Sequence, residues 1–298
     1  MKKSLLYLHM VRWRNLLLLV FSQLLFKYQV FPFFHSKSSL SNLEFSILIL
    51  SVVSIAAGGY IINDVFDLNC DKINKPNKIY IPIFLSVELA KRYYMILSII
   101  GFTAGVILCL ILKKPIHIFT YSTVVLLLFI YSYRLKGTPL LGNIVTSMLV
   151  SFNLILLLLL DSKINETNEG VRLTLLFSIF AFIINLLREI IKDIEDLNGD
   201  YNYGLKTIPI LIGTERTIRL VLLLSTIPLY LLINFGVMEL IHYHIIIKII
   251  YWVFVVFPFI LFIYKTYNAK VKKQFAFISK LLKLVLTLGL LLIFLITI

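Results

Sequence analysis

Charged residues are scarce in this chain, making up 15% of its 298 residues against roughly 25% in a soluble domain. That deficit excludes an ordinary water-soluble fold. With 60% hydrophobic residues and a mean hydropathy of +0.95, it predicts a polytopic membrane protein. Acidic residues are fewer than basic ones, 15 against 29, so the net charge is +14. In a soluble protein such an excess would indicate nucleic acid. Here the basic residues sit in short loops beside apolar runs, where they set orientation, and no nucleic-acid partner is expected. The two cysteines, Cys70 and Cys109, lie far apart and show no metal-ligand spacing with each other or with histidine. The five histidines fall mostly outside the acidic stretches described below, so no histidine general base is indicated. No charged-then-apolar leader with a small-residue cleavage site precedes the first apolar run, and the first helix is expected to remain in the mature protein.

Long apolar runs dominate what is present. A bilayer core of roughly 30 Å takes about 20 apolar residues per helix. Runs of that kind cover 15–34, 43–63, 91–112, 115–133, 139–160, 171–192, 214–235, 246–266 and 276–297. The expected fold is therefore all-α: one integral membrane domain over 1–298, a bundle of about nine transmembrane helices. Alternating the loops places Lys2, Lys3, Arg12, Arg14, Lys72, Lys75, Lys78, Arg134, Lys136, Arg188, Lys192, Lys206, Lys270, Lys272 and Lys273 on one side, and only Lys37, Lys113, Lys114 and Lys163 on the other. The positive-inside bias then predicts a cytoplasmic N-terminus and a last helix that ends outside.

Eight of the 15 acids fall in two short stretches, Asp64, Asp67 and Asp71, then Glu189, Asp193, Glu195, Asp196 and Asp200. Both lie where an apolar run reaches the cytoplasmic side. The triplets Asp64/Asp67/Asp71 and Asp193/Asp196/Asp200 share the spacing i, i+3, i+7, which on a continuous helix stacks three carboxylates on one face. Similar tails follow, Lys75 to Ile83 and Gly204 to Ile210, suggesting an internal duplication that relates 63–83 to 192–210. Three like charges beside hydrocarbon require a compensating cation. All-oxygen ligands suit Mg²⁺, which is commonly shared between carboxylates and substrate phosphates, and the nearby Lys and Arg residues suit the remaining phosphate charge. Carboxylates, metal and cations together describe a diphosphate site. An EF-hand beginning at Asp67 fails because its twelfth position is Lys78 rather than Glu. Clustered carboxylates also mark ion transporters, but those belong near mid-membrane on broken helices, and these lie at helix ends among basic residues.

The run Asn63-Asp64-Val-Phe-Asp67-Leu-Asn-Cys-Asp71 resembles the N-D-x-x-D-x-x-x-D signature of the UbiA superfamily of intramembrane prenyltransferases. Arg188-Glu189-Ile-Ile-Lys192-Asp193-Ile-Glu-Asp196-Leu-Asn-Gly199-Asp200, followed by Gly204-Leu-Lys206-Thr207-Ile-Pro209, resembles that superfamily's second motif. Tyr131-Ser-Tyr-Arg134-Leu-Lys136-Gly137 resembles the basic loop that helps hold diphosphate in these enzymes. After Asp71 the chain carries lysines where many relatives carry arginine, which keeps the charge but loses the bidentate fork. The wording of the second motif is most like the branch that makes digeranylgeranylglyceryl phosphate, an ether-lipid precursor.

The resemblance implies a helix bundle around a central cavity, Mg²⁺ dependence, a polyprenyl diphosphate donor and a lipophilic acceptor. It implies Asn63, Asp64, Asp67, Asp71, Asp193, Asp196 and Asp200 as direct or water-mediated metal ligands, and Arg134, Lys136, Lys192 and Lys206 as phosphate contacts. Arg188 either touches phosphate or pairs with Glu189; Arg12 and Asn15 either line the cavity or anchor the first helix. Tyr60, Phe66, Tyr131 and Tyr133 are candidates for cation–π contact with an allylic cation, or are ordinary interfacial aromatics. Asn143, Asn153 and Asn185 line a cavity or bond between helices, and Gly101 and Gly105 read as a packing pair. The acceptor is a glycerol hydroxyl in an ether-lipid enzyme and an aromatic ring in a quinone-pathway enzyme. Only the former needs a basic patch for an acceptor phosphate.

Overall fold

The computed structural model describes residues 3–36, 38–76, 79–161 and 168–297, with side chains from residue 7 onward. Lys2, Lys37, Lys78 and Lys163 lie outside the described residues, and so does the side chain of Lys3. Among the described residues, eight helices are long and apolar enough to cross a bilayer. They are α1 (Trp13–Phe33), α2 (Asn42–Phe66), α3 (Val87–Ile111), α5 (Leu141–Leu160), α6 (Glu169–Glu195), α7 (Thr214–Glu239), α8 (Ile245–Tyr267) and α9 (Lys272–Ile296). Between α3 and α5 stands α4 (His117–Tyr133), whose 17 residues reach only about 26 Å. These nine occupy the nine predicted runs with ends shifted by a few residues.

Local chemistry sets where several of them start. Ser41 caps α2, accepting from the Glu44 N–H at 3.3 Å while Glu44 accepts from the Ser41 N–H at 2.6 Å. Ser86 caps α3 and Asn168 caps α6 in the same sense. Within α1 a π-turn over Phe26–Val30 holds Lys27, and Pro32 sits in the α-helical turn Phe31–Phe33 that follows. Lys27 is buried there, donating to the Ser41 carbonyl at 3.2 Å, with its ammonium 4.3 Å from the Phe45 ring centre.

The most extensive helix pair is α2 on α3, and glycine makes it possible. A Cβ at Gly101 would lie 2.6 Å from the Ile55 side chain and 2.9 Å from its backbone nitrogen, while Ser51 donates to the Gly101 carbonyl at 2.7 Å. Gly105, one turn on, takes the Tyr121 ring of α4 in the same way. Helices α1, α2, α4, α5, α6 and α9 enclose a central cavity of about 600 Å³, and α3, α7 and α8 contribute no lining residue among those described.

One expectation changes in detail. Neither aspartate triplet rides on a single straight helix. Helix α2 ends at Phe66 and a short helix, Leu68–Asn74, follows; α6 ends at Glu195 and Leu197–Asn202 follows. The chain turns at the middle aspartate each time, Asp67 with φ −83° and ψ −5°, Asp196 with φ −96° and ψ 7°. Backbone bonds still bridge each bend, from the Asp71 N–H to the Asp67 carbonyl at 2.8 Å and from the Asp200 N–H to the Asp196 carbonyl at 3.2 Å. Bending wraps three carboxylates around the rim of a cavity, where a straight stripe would carry the third away along the axis.

Candidate active site

The six motif aspartates, Asp64, Asp67, Asp71, Asp193, Asp196 and Asp200, all line the mouth of the central cavity, together with Asn63, Arg12, Asn15, Lys136, Arg188, Glu189 and Lys192. Below them the wall becomes apolar, through Leu19, Val52, Ile55, Val124, Leu128, Leu149, Phe177, Ala181 and Leu286, down to a floor near Ser22 and Asn153. A charged rim over an apolar shaft matches a molecule with an anionic head and a hydrocarbon tail.

Each motif meets its cations at short range. Arg12 reaches Asp64 at 2.9 Å, with its guanidinium 4.8 Å from the Tyr60 ring centre. Lys136 pairs with Asp67, which also accepts from Asn63 Nδ2 at 2.7 Å. Lys75 crosses from the first motif to Asp196 at 2.6 Å and stands 4.0 Å from Asp71. Arg188 lies 2.6 Å from Glu189, and Lys192 closes on the same carboxylate at 2.9 Å. Asp193 is held by Asn143 Nδ2 at 2.8 Å. Burial alone would discharge Lys136, but Asp67 and Asp71 outweigh it and hold the ammonium well above its ordinary range. Lys75 is raised for the same reason, with Asp196 as its main partner. Burial pushes the Asp71 carboxyl up, and it pushes Asp200 up to about 6, with Lys136 and Lys75 opposing and Asp196 and Asp67 adding to the effect.

Two of the expected phosphate contacts stand elsewhere. Arg134 and Lys206 are exposed and do not line the cavity. The turn over Leu135–Gly137 is 3₁₀, with three residues per turn, so Lys136 and Arg134, two positions apart, cannot face the same way. Lys206 contributes through its backbone, whose N–H donates to the Gly137 carbonyl at 2.9 Å and ties the two loops together. Arg188 takes the local pairing with Glu189, yet its Nε is buried without a partner. Asn143 and Asn185 line the cavity, as does Asn153, which also bonds Gln23 and Ser22 of α1.

Two residues of the site carried no distinctive signal in the sequence, Asn74 and Lys283, and a third, Lys75, was marked only as one of several lysines suited to phosphate. Asn74 joins the two motifs, donating to the Asp196 carbonyl at 2.8 Å and accepting from the Gly199 N–H at 2.9 Å. Gly199 has to be glycine for that contact, since a Cβ there would stand 2.3 Å from Asn74 Nδ2. Lys283, in the middle of α9, hydrogen-bonds Asn15 from across the cavity.

The donors suit a hard cation. All are oxygens, and Asn63 Oδ1 and Asp196 Oδ1 are buried with no hydrogen-bond partner. Among the described residues no three carboxylate, histidine or cysteine side chains gather closely enough to enclose a metal by themselves. That is the arrangement Mg²⁺ uses when waters and substrate phosphates complete its shell.

Fold and site thus define a polytopic membrane enzyme that handles a lipid with an anionic head. Residues 24–281 match the UbiA prenyltransferase family. The chain belongs to that family and is a prenyltransferase. It is 31% identical over 247 residues to the digeranylgeranylglyceryl phosphate synthase of Methanosphaera stadtmanae, covering 82% of this chain and 84% of that one. It is 37% identical over 204 residues to the enzyme of the same name from Sulfurisphaera tokodaii, covering 65% and 69%. Among solved structures it resembles a digeranylgeranylglyceryl phosphate synthase in membranes, with a TM-score of 0.65 and 22% identity over 99% of this chain and 98% of that one. A UbiA homologue from Archaeoglobus fulgidus bound to GPP and Mg²⁺ aligns with a TM-score of 0.62 and 17% identity over 97% and 99%. A transporter, the other class that membrane carboxylates allow, is set aside by family membership and by the position of the carboxylates at helix ends.

Proposed function

We propose that this prenyltransferase moves a geranylgeranyl group from its diphosphate to the free hydroxyl of geranylgeranylglyceryl phosphate, releasing diphosphate, with Mg²⁺ as cofactor. The observation that carries the reaction type is the meeting of two aspartate motifs and their lysines on the rim of one apolar cavity. The relatives named for digeranylgeranylglyceryl phosphate synthesis support the acceptor.

In this reading the donor's chain lies in the shaft and its diphosphate sits between the motifs. Bound Mg²⁺ would draw negative charge off the departing diphosphate, held by Asn63, Asp64, Asp67, Asp71, Asp193, Asp196 and Asp200 directly or through water. Lys136, Lys75 and Lys192 turn from their carboxylates to phosphate oxygens as the anion arrives, and add preorganised positive charge where charge develops. The C1–O bond breaks with its electron pair leaving on diphosphate. The acceptor oxygen bonds to C1 and its proton is released. The apolar wall keeps water from the allylic carbon, and Tyr131, which lines its upper end, is a candidate for cation–π contact with the developing cation. We place the rim and the N-terminus on the cytoplasmic side. Arg12, Arg14, Lys72, Lys75, Arg134, Lys136, Lys192, Lys206, Lys270, Lys272 and Lys273 gather at the motif end, while Lys113 and Lys114 stand at the other.

The test is pyrophosphate release by purified protein in detergent with Mg²⁺ and geranylgeranyl diphosphate. Geranylgeranylglyceryl phosphate is compared with dihydroxynaphthoate and 4-hydroxybenzoate. Release that depends on the phosphate lipid is expected; release with only an aromatic acceptor would move the protein to the quinone-precursor class.

A further inference from the structure

Lys283 is a cavity cation that the site chemistry above does not use and, unlike Arg12 and Arg188, it pairs with no carboxylate among the described residues. It lies 11 positions into α9, about 16 Å along the axis from Lys272, whose ammonium donates to the Asn74 carbonyl at the level of the motifs. A lysine at that depth in an apolar helix is costly unless an anion meets it. Among the described residues Lys283 has no carboxylate partner; its hydrogen bond goes to the neutral Asn15 Oδ1, and the charged groups that bear on it are Arg188, Arg14 and Arg12, all cations. Arg12 is matched by Asp64 and Arg188 by Glu189. Arg188 nevertheless keeps a buried Nε–H with no acceptor. Asn15 is in turn steadied by Tyr60, its Nδ2 3.4 Å from the phenol oxygen. The cavity thus carries a polar patch on α1, α6 and α9, beside the second motif's end of the rim, with one buried donor left unmatched.

We infer that Lys283, with Arg188 and Asn15, forms the subsite for the acceptor's phosphate monoester. The inference rests on the prenyl-transfer reading above and deepens it by placing the second substrate. Charge favours this occupant, because the rim already has carboxylates for metal and lysines for diphosphate, whereas the patch has an excess of positive charge. Volume favours it as well. A cavity of about 150 Å³ takes one benzene, so 600 Å³ takes roughly two dozen carbons, enough for one geranylgeranyl chain and not two. With the donor's chain in the shaft, the acceptor's chain lies out in the bilayer, and its head must be held by its own charge. A phosphate bridging Lys283 and Arg188 would anchor the glycerol beneath the rim and turn its hydroxyl toward C1. Lys283 and Arg188 are positioning residues in this account.

The test uses the full-length protein in detergent, with two readouts. In metal-free protein, the melting temperature is followed with geranylgeranylglyceryl phosphate and with geranylgeranylglycerol, which lacks the phosphate. The phosphate lipid is expected to stabilise wild type more than the alcohol does; Lys283→Gln loses that difference and Lys283→Arg keeps it. In turnover, Lys283→Gln is expected to raise KM for the acceptor by about tenfold or more, the scale of a lost charged hydrogen bond. KM for geranylgeranyl diphosphate should stay within about twofold. Removing a lysine from an apolar helix does not threaten folding, so a loss of binding is not a loss of protein. If wild type uses the phosphate lipid and Lys283→Gln leaves acceptor KM and phosphate-dependent stabilisation unchanged, or raises both KM values alike, the subsite is overturned while the function stands. If wild type turns over only an aromatic carboxylate, the subsite and the acceptor both fall.

Discussion

The first and second aspartate motifs bend at corresponding residues, yet their charges are balanced differently. In the first, Asp64 has Arg12, Asp67 has Lys136 and Asn63, and Asp71 has Lys75 at 4.0 Å. In the second only the middle residue, Asp196, has a close cation, and that lysine is lent by the first motif. Asp193 has a neutral amide, and Asp200, 3% exposed, makes no side-chain hydrogen bond or ion pair among the described residues. Like charge left unmatched at a dry rim is a place for a cation to bind. The second motif therefore depends more on the metal than the first, while the first does more to hold the empty site together.

The largest effect that bears on this contrast is on turnover. Asp67→Ala and Asp196→Ala should each lower kcat by about 10²-fold to 10³-fold, the scale for removing one preorganised electrostatic element. A variant of either motif that keeps near-wild-type pyrophosphate release would break the picture of one site shared by both. Next in size is the link between them. Asn74→Ala leaves the Gly199 N–H without its acceptor and takes one of two donors from the Asp196 carbonyl, and should cost about 1–3 kcal/mol, read as a lowered melting temperature together with reduced turnover. Gly199→Ala should act in the same direction, because its Cβ would displace the Asn74 amide.

A smaller effect sharpens the contrast through pH. The Asp200 carboxyl is pushed up to about 6, first by burial, from an ordinary value of 3.8. A raised carboxyl pKa means the folded state keeps its proton while the unfolded chain releases it. The resulting destabilisation is absent below 3.8, grows as pH rises to 6, and is complete above it. Metal-free Asp200→Asn should therefore melt a few degrees above wild type at neutral pH, and the gap should close as pH falls below about 4. Mg²⁺ with diphosphate should raise wild type more than the variant. An Asp200→Asn protein less stable than wild type at neutral pH would mean that this carboxylate already has its cation. The smallest effect belongs to the opposite end of α6. Arg172 bridges Glu169 and Glu239 at 2.7 and 2.8 Å, but Arg172 and Glu169 are exposed and Glu239 only partly covered, so Arg172→Ala should cost less than about 1 kcal/mol and leave turnover unchanged.

Much of the fold was legible in the chain because the bilayer makes hydropathy decisive over local windows: every predicted run is occupied by a helix. Even α4, too short for a strict span, stands in the apolar run over 115–133. The carboxylates were legible because scarcity made them conspicuous. The bends at Asp67 and Asp196 were not, since i, i+3, i+7 reads as one face of a straight helix until neighbouring elements turn it. Arg134 and Lys136 could not be told apart by composition; a single 3₁₀ turn separates the one that faces the cavity from the one that faces out.

By itself the sequence determined a helical membrane bundle, two acidic rims and their basic company, because spans and motifs are written in residues that are neighbours along the chain. Tertiary structure alone decided which cation neutralises which carboxylate, that Asn74 clasps a loop 122 residues away, and that Lys283 meets Asn15 in a cavity that Arg188 also lines. Those are contacts between helices, and nothing in the local pattern of either helix records which face its partner will meet.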